Sequence, residues 1–356
     1  MRNKEEIKEI LGYLQKENKN LQLNEEAILA EYQKKDDHQS LAVKILSVFG
    51  GILASFAFIG FLLIAGLYDS KEGLAIFGSI SIVGGIVISK IYDKIIIDTF
   101  SVSAYIIGFI LLAMGLIQME ITENSVSFIF MIIAAISLCI ARSYILTFIS
   151  VLIISGAVLT LIISNEAFEF IHLYTSILAV ILTVFFLKEA KIININTVLS
   201  KLYNPIRIAL IFSFLAGLAI LGHKEFIDLS QVYIWVSSIF IILAILYVLS
   251  HLFKILHIIK NSHKISIYAL SIIVLLPTVL SPSISGAILI ILLSFLVNYK
   301  TSLVIGIAAF IYFVSQYYYD LHFTLLTKSI LLFSSGVLFL GLYLLTNKKL
   351  TSNDKV

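Results

Sequence analysis

Twelve apolar stretches, each about 15 to 24 residues long, run from Leu41 to Thr346 and constrain the fold more than any motif does. They lack the strict alternation of barrel strands and reach the length that lets a helix cross a bilayer. With 60% hydrophobic and 13% charged residues and a mean hydropathy of +1.03, a water-soluble fold would have too little polar surface to cover itself. Lipid must cover most of the chain, and in lipid only elements that satisfy their own backbone hydrogen bonds persist. The expected fold is therefore all-α: a polytopic transmembrane helical bundle of about twelve spans, preceded by a short N-terminal cytoplasmic helical hairpin.

The expected spans are 43–67, 74–89, 100–119, 125–141, 143–163, 169–187, 206–222, 231–250, 265–281, 284–298, 301–319 and 325–346. The basic residues between them test that count. Lys90, Lys94, Arg142, Lys188, Lys191, Lys201, Arg207, Lys254, Lys260, Lys264, Lys300, Lys348, Lys349 and Lys355 fall in the even connections and the C-terminal tail, fourteen in all. The odd connections hold only Lys71, Lys224 and Lys328. A basic excess marks the cytoplasmic side, so both termini are expected in the cytoplasm of a bacterial inner membrane. Residues 41–347 then form the transmembrane domain and 348–356 a short basic tail. The odd connections carry acids three residues apart: Asp69 and Glu72, Glu120 and Glu123, Glu166 and Glu169, Glu225 and Asp228. A ring of carboxylates could gather cations at the mouth of a pathway. Acids also favour the start of the helix that follows, which explains the pairs without any ligand.

Residues 1–40 are rich in Lys and Glu, and Ile7, Ile10, Leu11 and Leu14 recur on one face of an amphipathic helix. After a break, Asn24 with Glu25 and Glu26 resembles a capped helix start, and Ala27, Ile28 and Tyr32 supply an apolar side. This segment is expected to dock a cytoplasmic partner. The net charge of +3 comes from residues beside the membrane, so the partner surface is the lipid bilayer and no nucleic acid is implied. The single cysteine, Cys139, excludes an intrachain disulfide and reads as a small buried hydrophobe. Gly50, Gly51, Gly60, Gly84 and Gly85 are expected to let helices approach closely.

The sequence carries no HExxH, GxSxG or GxxxxGK pattern. No catalytic residue, metal ligand or cofactor is assigned, and a membrane enzyme is the least supported class. No Asp or Glu lies clearly at mid-span, where a charge costs about 2.5 to 3.5 kcal/mol, which weakens a carboxylate-driven transporter. Two segments remain as binding candidates. In PTVLSPSISG, Pro277 to Gly286, prolines remove helix donors and free carbonyls, as at interrupted transporter spans. The candidates there are Pro277, Ser281, Pro282, Ser283 and Gly286, although a tight helical hairpin turning at Ser281 and Pro282 would read the same way. In the second segment, Tyr317 to Ser329, Asp320 and Lys328 flank a short connection with His322 between them. An aromatic belt at the membrane interface is the simpler origin of its tyrosines. His251, His257 and His263 recur every six residues, which does not stack them on one helix face, so they fit a basic lipid-facing linker better than a metal site.

The N-terminal hairpin leading into KILSVFGGILASFAFIGFLLIAGL and the C-terminal YYYDLHFTLLTKSILLFSSGVLFLGLYLL resemble an uncharacterised family of bacterial inner-membrane proteins, classed only as a domain of unknown function. The C-terminal stretch is the more specific, and the resemblance adds weight to Tyr318, Asp320, Thr324, Leu325, Lys328 and Ser329 without giving them a role. It implies a second membrane protein encoded nearby, bearing a GDYXXLXXXG motif, as a partner. The expected function is that of an integral inner-membrane component of a membrane complex or envelope process. A transporter or lipid exporter is the alternative, suggested by spans divided six and six by the connection from Lys188 to Arg207.

Overall fold

Among the described residues of the computed structural model, nine helices are long and apolar enough to cross a membrane. The structure describes residues 64–91, 95–222, 233–256 and 260–320 throughout, with separate helical residues between 50 and 62 and between 326 and 341. The hairpin expected within residues 1–40, Lys44, the Glu225 and Asp228 pair, His257 and the basic tail lie outside the described residues.

In chain order the helices are α1 (Lys71–Ile91), α2 (Ile95–Gln118), α3 (Glu123–Ile140), α4 (Tyr144–Ser164), α5 (Phe170–Leu187), the short α6 (Glu189–Ile193), α7 (Thr197–Gly222), α8 (Ile234–Ile255), α9 (Asn261–Leu275), α10 (Pro282–Leu296) and α11 (Lys300–Asp320). A 3-10 turn at Leu67–Asp69 precedes α1, and a second at Leu276–Leu280 prolongs α9. These bounds follow the apolar stretches closely, with one informative exception. α7 begins nine residues before the expected start at 206, so Arg207 sits inside a helix rather than in a connection.

Helix ends repeat one device. Glu120, Glu166 and Asn298 take left-handed φ values of 60°, 53° and 55°. Each is followed by a backbone N–H that reaches back over the helix end, Ile121 to Leu116, Ala167 to Ile162 and Tyr299 to Ser294, at 2.9 to 3.1 Å. This closes orphan carbonyls that the membrane edge would otherwise leave unpaired. In the acid pairs, Glu120 and Glu166 make the turn, while Glu123 opens α3 and Glu169 caps α5. These two pairs are thus helix punctuation.

α1 and α2 form the closest helix pair, and α7 touches α4, α5, α10 and α11, which makes it the centre of the larger cluster. That cluster is filled by residues such as Phe186, Ile211, Phe214, Leu218, Ile241, Ile290 and Leu293. Buried hydroxyls inside it are satisfied locally: Thr175, Ser176, Thr183 and Ser294 donate to the carbonyl four residues earlier at 2.6 to 2.8 Å. Others join helices. Tyr105 on α2 meets Ser150 on α4 at 2.9 Å, and Tyr174 on α5 donates to the Ser213 carbonyl on α7 at 3.2 Å.

Two expectations fail on inspection of the surface. Cys139 lies exposed on the outside of α3, on the bundle's lipid-facing surface, because Ser137 and Ala134 occupy the inward positions of that helix. Gly50, Gly60 and Gly84 have open space where a Cβ would be, so they bring no helices together. Close approach holds as expected at Gly85, and also at Gly78, Gly108 and Gly115, where a Cβ would come within 2.6 to 2.8 Å of atoms of the facing helix. Changing Gly108 to Leu should therefore lower stability in detergent by about 1 to 3 kcal/mol, read as a reduced melting temperature. Gly84→Leu, at an open site, should leave it unchanged.

Candidate functional site

The two candidate segments meet. A recess of about 260 Å³ is lined by Leu280, Ser281, Pro282 and Ser283 from one segment and by Tyr317 and Asp320 from the other, with Gly222, Ile234, Phe313 and Gln316 completing its wall. Its position follows from the local sequence. Pro282 has no N–H to continue the preceding turn, so Ser281 leaves helical geometry, with φ −140° and ψ 77°, and Pro282 opens α10 as a first-turn proline. α10 is only 15 residues long. At 1.5 Å per residue it spans about 22 Å, short of a hydrocarbon layer about 30 Å thick. The break is thereby drawn below the membrane surface.

Side chains from neighbouring helices fix the break. Ser238 on α8 donates to the Val279 carbonyl at 2.7 Å, and Ser283 donates to the Leu218 carbonyl on α7 at 2.7 Å. Gly222 ends α7 against the recess: a Cβ there would stand 3.2 Å from both Ser283 Oγ and Gln316 Oε1. Both Oε1 and Nε2 of Gln316 are buried without a hydrogen-bond partner. Leaving a buried amide unsatisfied costs about 1 to 3 kcal/mol per group, so a full set of ligand hydrogen bonds would recover it. Asp320, partly exposed, supplies a carboxylate at the rim, and none of the residues lining the recess is basic. Such a lining accepts hydrogen bonds and positive charge.

Of the other expected residues, Pro277 is exposed on the 3-10 turn, away from the recess. Gly286 packs α10 on α7, since a Cβ there would collide with the Leu218 side chain. Tyr318 sets its ring edge-on to Tyr319 at 5.7 Å and does not line the recess. Ser329 is helical and exposed. His322, Thr324 and Lys328 lie outside the described residues. Gln316 was not among the expected residues, because an uncharged amide one turn inside a span draws no attention in a charge-based search.

A second polar centre, also unforeseen, surrounds Arg207 at the other end of the bundle. Its side chain is 3% exposed, with Nη1 3.2 Å from Glu189 Oε2 and Nη2 donating to Asn204 Oδ1 at 2.6 Å. The guanidinium lies 3.6 Å from the Tyr299 ring centroid and 5.0 Å from that of Tyr203. Arginine suits this place because a planar, weakly hydrated guanidinium can stack and pair at once, which an ammonium cannot. The available signal was the choice of Arg in a chain whose other basic residues are nearly all Lys. Nothing about the centre is open to a ligand; it ties α6, α7 and the turn before α11 together.

With the geometry in place, the sequence comparison decides the family. Residues 40–349 match a domain of unknown function, DUF4401, over most of the chain. The chain belongs to the DUF4401 family. Comparisons with curated proteins and with solved structures give no match. DUF4401 membership agrees with the resemblance carried by the two ends of the sequence, and the many apolar helices make this member a multi-pass membrane protein.

The Arg207 centre makes a direct prediction. Arg207→Ala removes one partner of a mostly buried pair and should cost on the order of 3 kcal/mol in thermal unfolding. Arg207→Lys should recover only part of that loss, because charge returns without the stacking on Tyr299.

Proposed function

We propose that this DUF4401 protein is a binding component of an envelope process in the bacterial inner membrane, and that the recess at Ser281 to Ser283 receives its ligand. Both termini then lie in the cytoplasm and the recess opens on the opposite side, in keeping with the basic and acidic connections. The observation that carries this proposal is the buried, unpartnered Gln316 carboxamide in a recess that also contains a carboxylate and serine hydroxyls. A small ligand bearing an ammonium group or several hydroxyls complements that set.

Capture is favoured over passage because the bundle is filled below the recess. Phe313 forms its floor, and Leu218, Phe214, Ile290 and Leu293 follow toward the basic end, each essentially without exposure. With Lys300 at the basic boundary, Gln316 lies about 24 Å along α11 in a layer about 30 Å thick, nearer the acidic side than the midplane. Residues 1–40 are proposed as the docking element for a cytoplasmic partner, and a second membrane protein is the proposed companion of the membrane domain.

Purified protein should show a raised melting temperature with ethanolamine or glycerol among a panel of small amines and polyols. Ligand at a hundredfold excess over Kd stabilises by about 2.7 kcal/mol. Gln316→Leu and Asp320→Asn should each abolish the shift. Uptake of the same solutes into vesicles by the purified protein would replace capture with transport, and a panel without any shift would remove the recess as a ligand site. For the docking element, partner recovery that is unchanged after deletion of residues 1–40 would exclude it.

A further inference from the structure

A groove of about 460 Å³ runs down the side of the bundle between α4, α5 and α7. Its lining is almost wholly apolar and includes Val151, Ile154, Val158, Leu173, Ile177 and Ile181. Of its three polar residues, Tyr174 bonds the Ser155 hydroxyl and donates to the Ser213 carbonyl, while the Ser213 hydroxyl is buried without a partner. The groove floor presents hydrocarbon to whatever fills it. From Phe170 to Ile181 it extends about 16 Å along α5, against about 15 Å for half of a bilayer's hydrocarbon core. It starts at the acidic end of the bundle and stops near the middle.

At that acidic end the groove runs into a second, smaller recess of about 210 Å³, which shares Phe170 and Leu173 with it and adds Glu169, His172, Tyr233 and Val236. His172 is 2% exposed, and its Nδ1 lies 3.0 Å from the Ser237 hydroxyl, which is itself 3.1 Å from the Ile234 carbonyl. Nε2 is buried and has no hydrogen-bond partner. Glu169, exposed at the start of α5, adds a carboxylate. An apolar channel one leaflet long thus leads to a head recess that holds the Glu169 carboxylate, the His172 imidazole and the Tyr233 hydroxyl, with no basic Lys or Arg in its lining.

We propose that this continuous groove and recess form a lipid site, holding one acyl chain of a phospholipid with a primary-amine headgroup in the leaflet at the acidic end. The chain lies between α4 and α5 over Tyr174, and the ammonium faces Glu169 and His172. A groove lined by hydrocarbon along one leaflet suits an acyl chain, and the Glu169 carboxylate in a recess without Lys or Arg favours an ammonium over a glycerol headgroup. The site is separate from the Gln316 recess and stands or falls without it.

The test is native mass spectrometry of the full-length protein exchanged into detergent with phosphatidylethanolamine or phosphatidylglycerol of identical chains. The wild type should retain the ethanolamine lipid at least fivefold better. Glu169→Gln, a change at an exposed position, should reduce that preference to within twofold while total lipid binding persists. Ile177→Trp, which fills the groove from its half-exposed edge, should reduce retention of both lipids at least fivefold with the melting temperature maintained. Equal retention of the two lipids by the wild type would overturn the headgroup assignment. An undiminished preference in Glu169→Gln would do the same, and undiminished binding in Ile177→Trp would overturn the groove as the site of the chain.

Discussion

Inside a membrane a polar group has no water to fall back on, and the placement of most buried polar groups among the described residues follows from that. Serine and threonine enter the spans by donating to carbonyls of their own helix, as Thr175 and Ser294 do, which costs the helix little. Tyr105 and Tyr174 enter by finding a partner on another helix. Arg207 enters by acquiring a carboxylate, an amide and an aromatic face together. Against this background of satisfaction, a buried group that is left wanting is informative. Gln316 and His172 are two such groups, and each stands beside a cavity at the same end of the bundle.

The two ends differ in chemistry as well as in charge. At the basic end Arg207 pairs with Glu189 and Asn204 and stacks on Tyr299, which locks the connections, although its Nε is buried without a partner. At the acidic end Asn124 and Asn165 pair across α3 and α4, but the Gln316 carboxamide and His172 Nε2 are left without a partner beside two recesses. A closed end and an open end suit a protein that presents a binding face on one side and holds its shape from the other.

The spans were legible because their signal is long and repeated, and a helix in lipid tolerates few alternatives. The meeting of the two candidate segments was not legible, since nothing in the sequence says that Ser281 and Asp320 share a wall; only the packing of α10 against α11 brings them together. Arg207 was assigned to a connection because charge was treated as a marker of the membrane edge. That rule holds for hydrated lysines and fails for a guanidinium that supplies its own solvation through Tyr299 and Glu189. Glycine was misjudged in the same way: Gly84 and Gly85 are equivalent in sequence, yet only Gly85 faces the partner helix. Face, unlike residue type, needs the helix phase that packing sets. Cys139 fell on the wrong side of that distinction too, since an apolar residue in a span can meet lipid as readily as protein.

α7 connects these observations mechanically. It carries Arg207 near its start, Ser213 under the lipid groove, and Leu218 and Gly222 at the recess, along one continuous helix of 26 residues. Pro205, two residues before Arg207, removes one backbone donor from this helix. The Arg207 centre holds the helix beside that gap. Because Ser283 bonds the Leu218 carbonyl and Gly222 sits against Gln316, a rotation of α7 would alter both cavities together, whereas a rotamer change at Tyr317 or Phe170 would alter one. The same helix that closes the basic end thus sets the shape of the two open sites at the other.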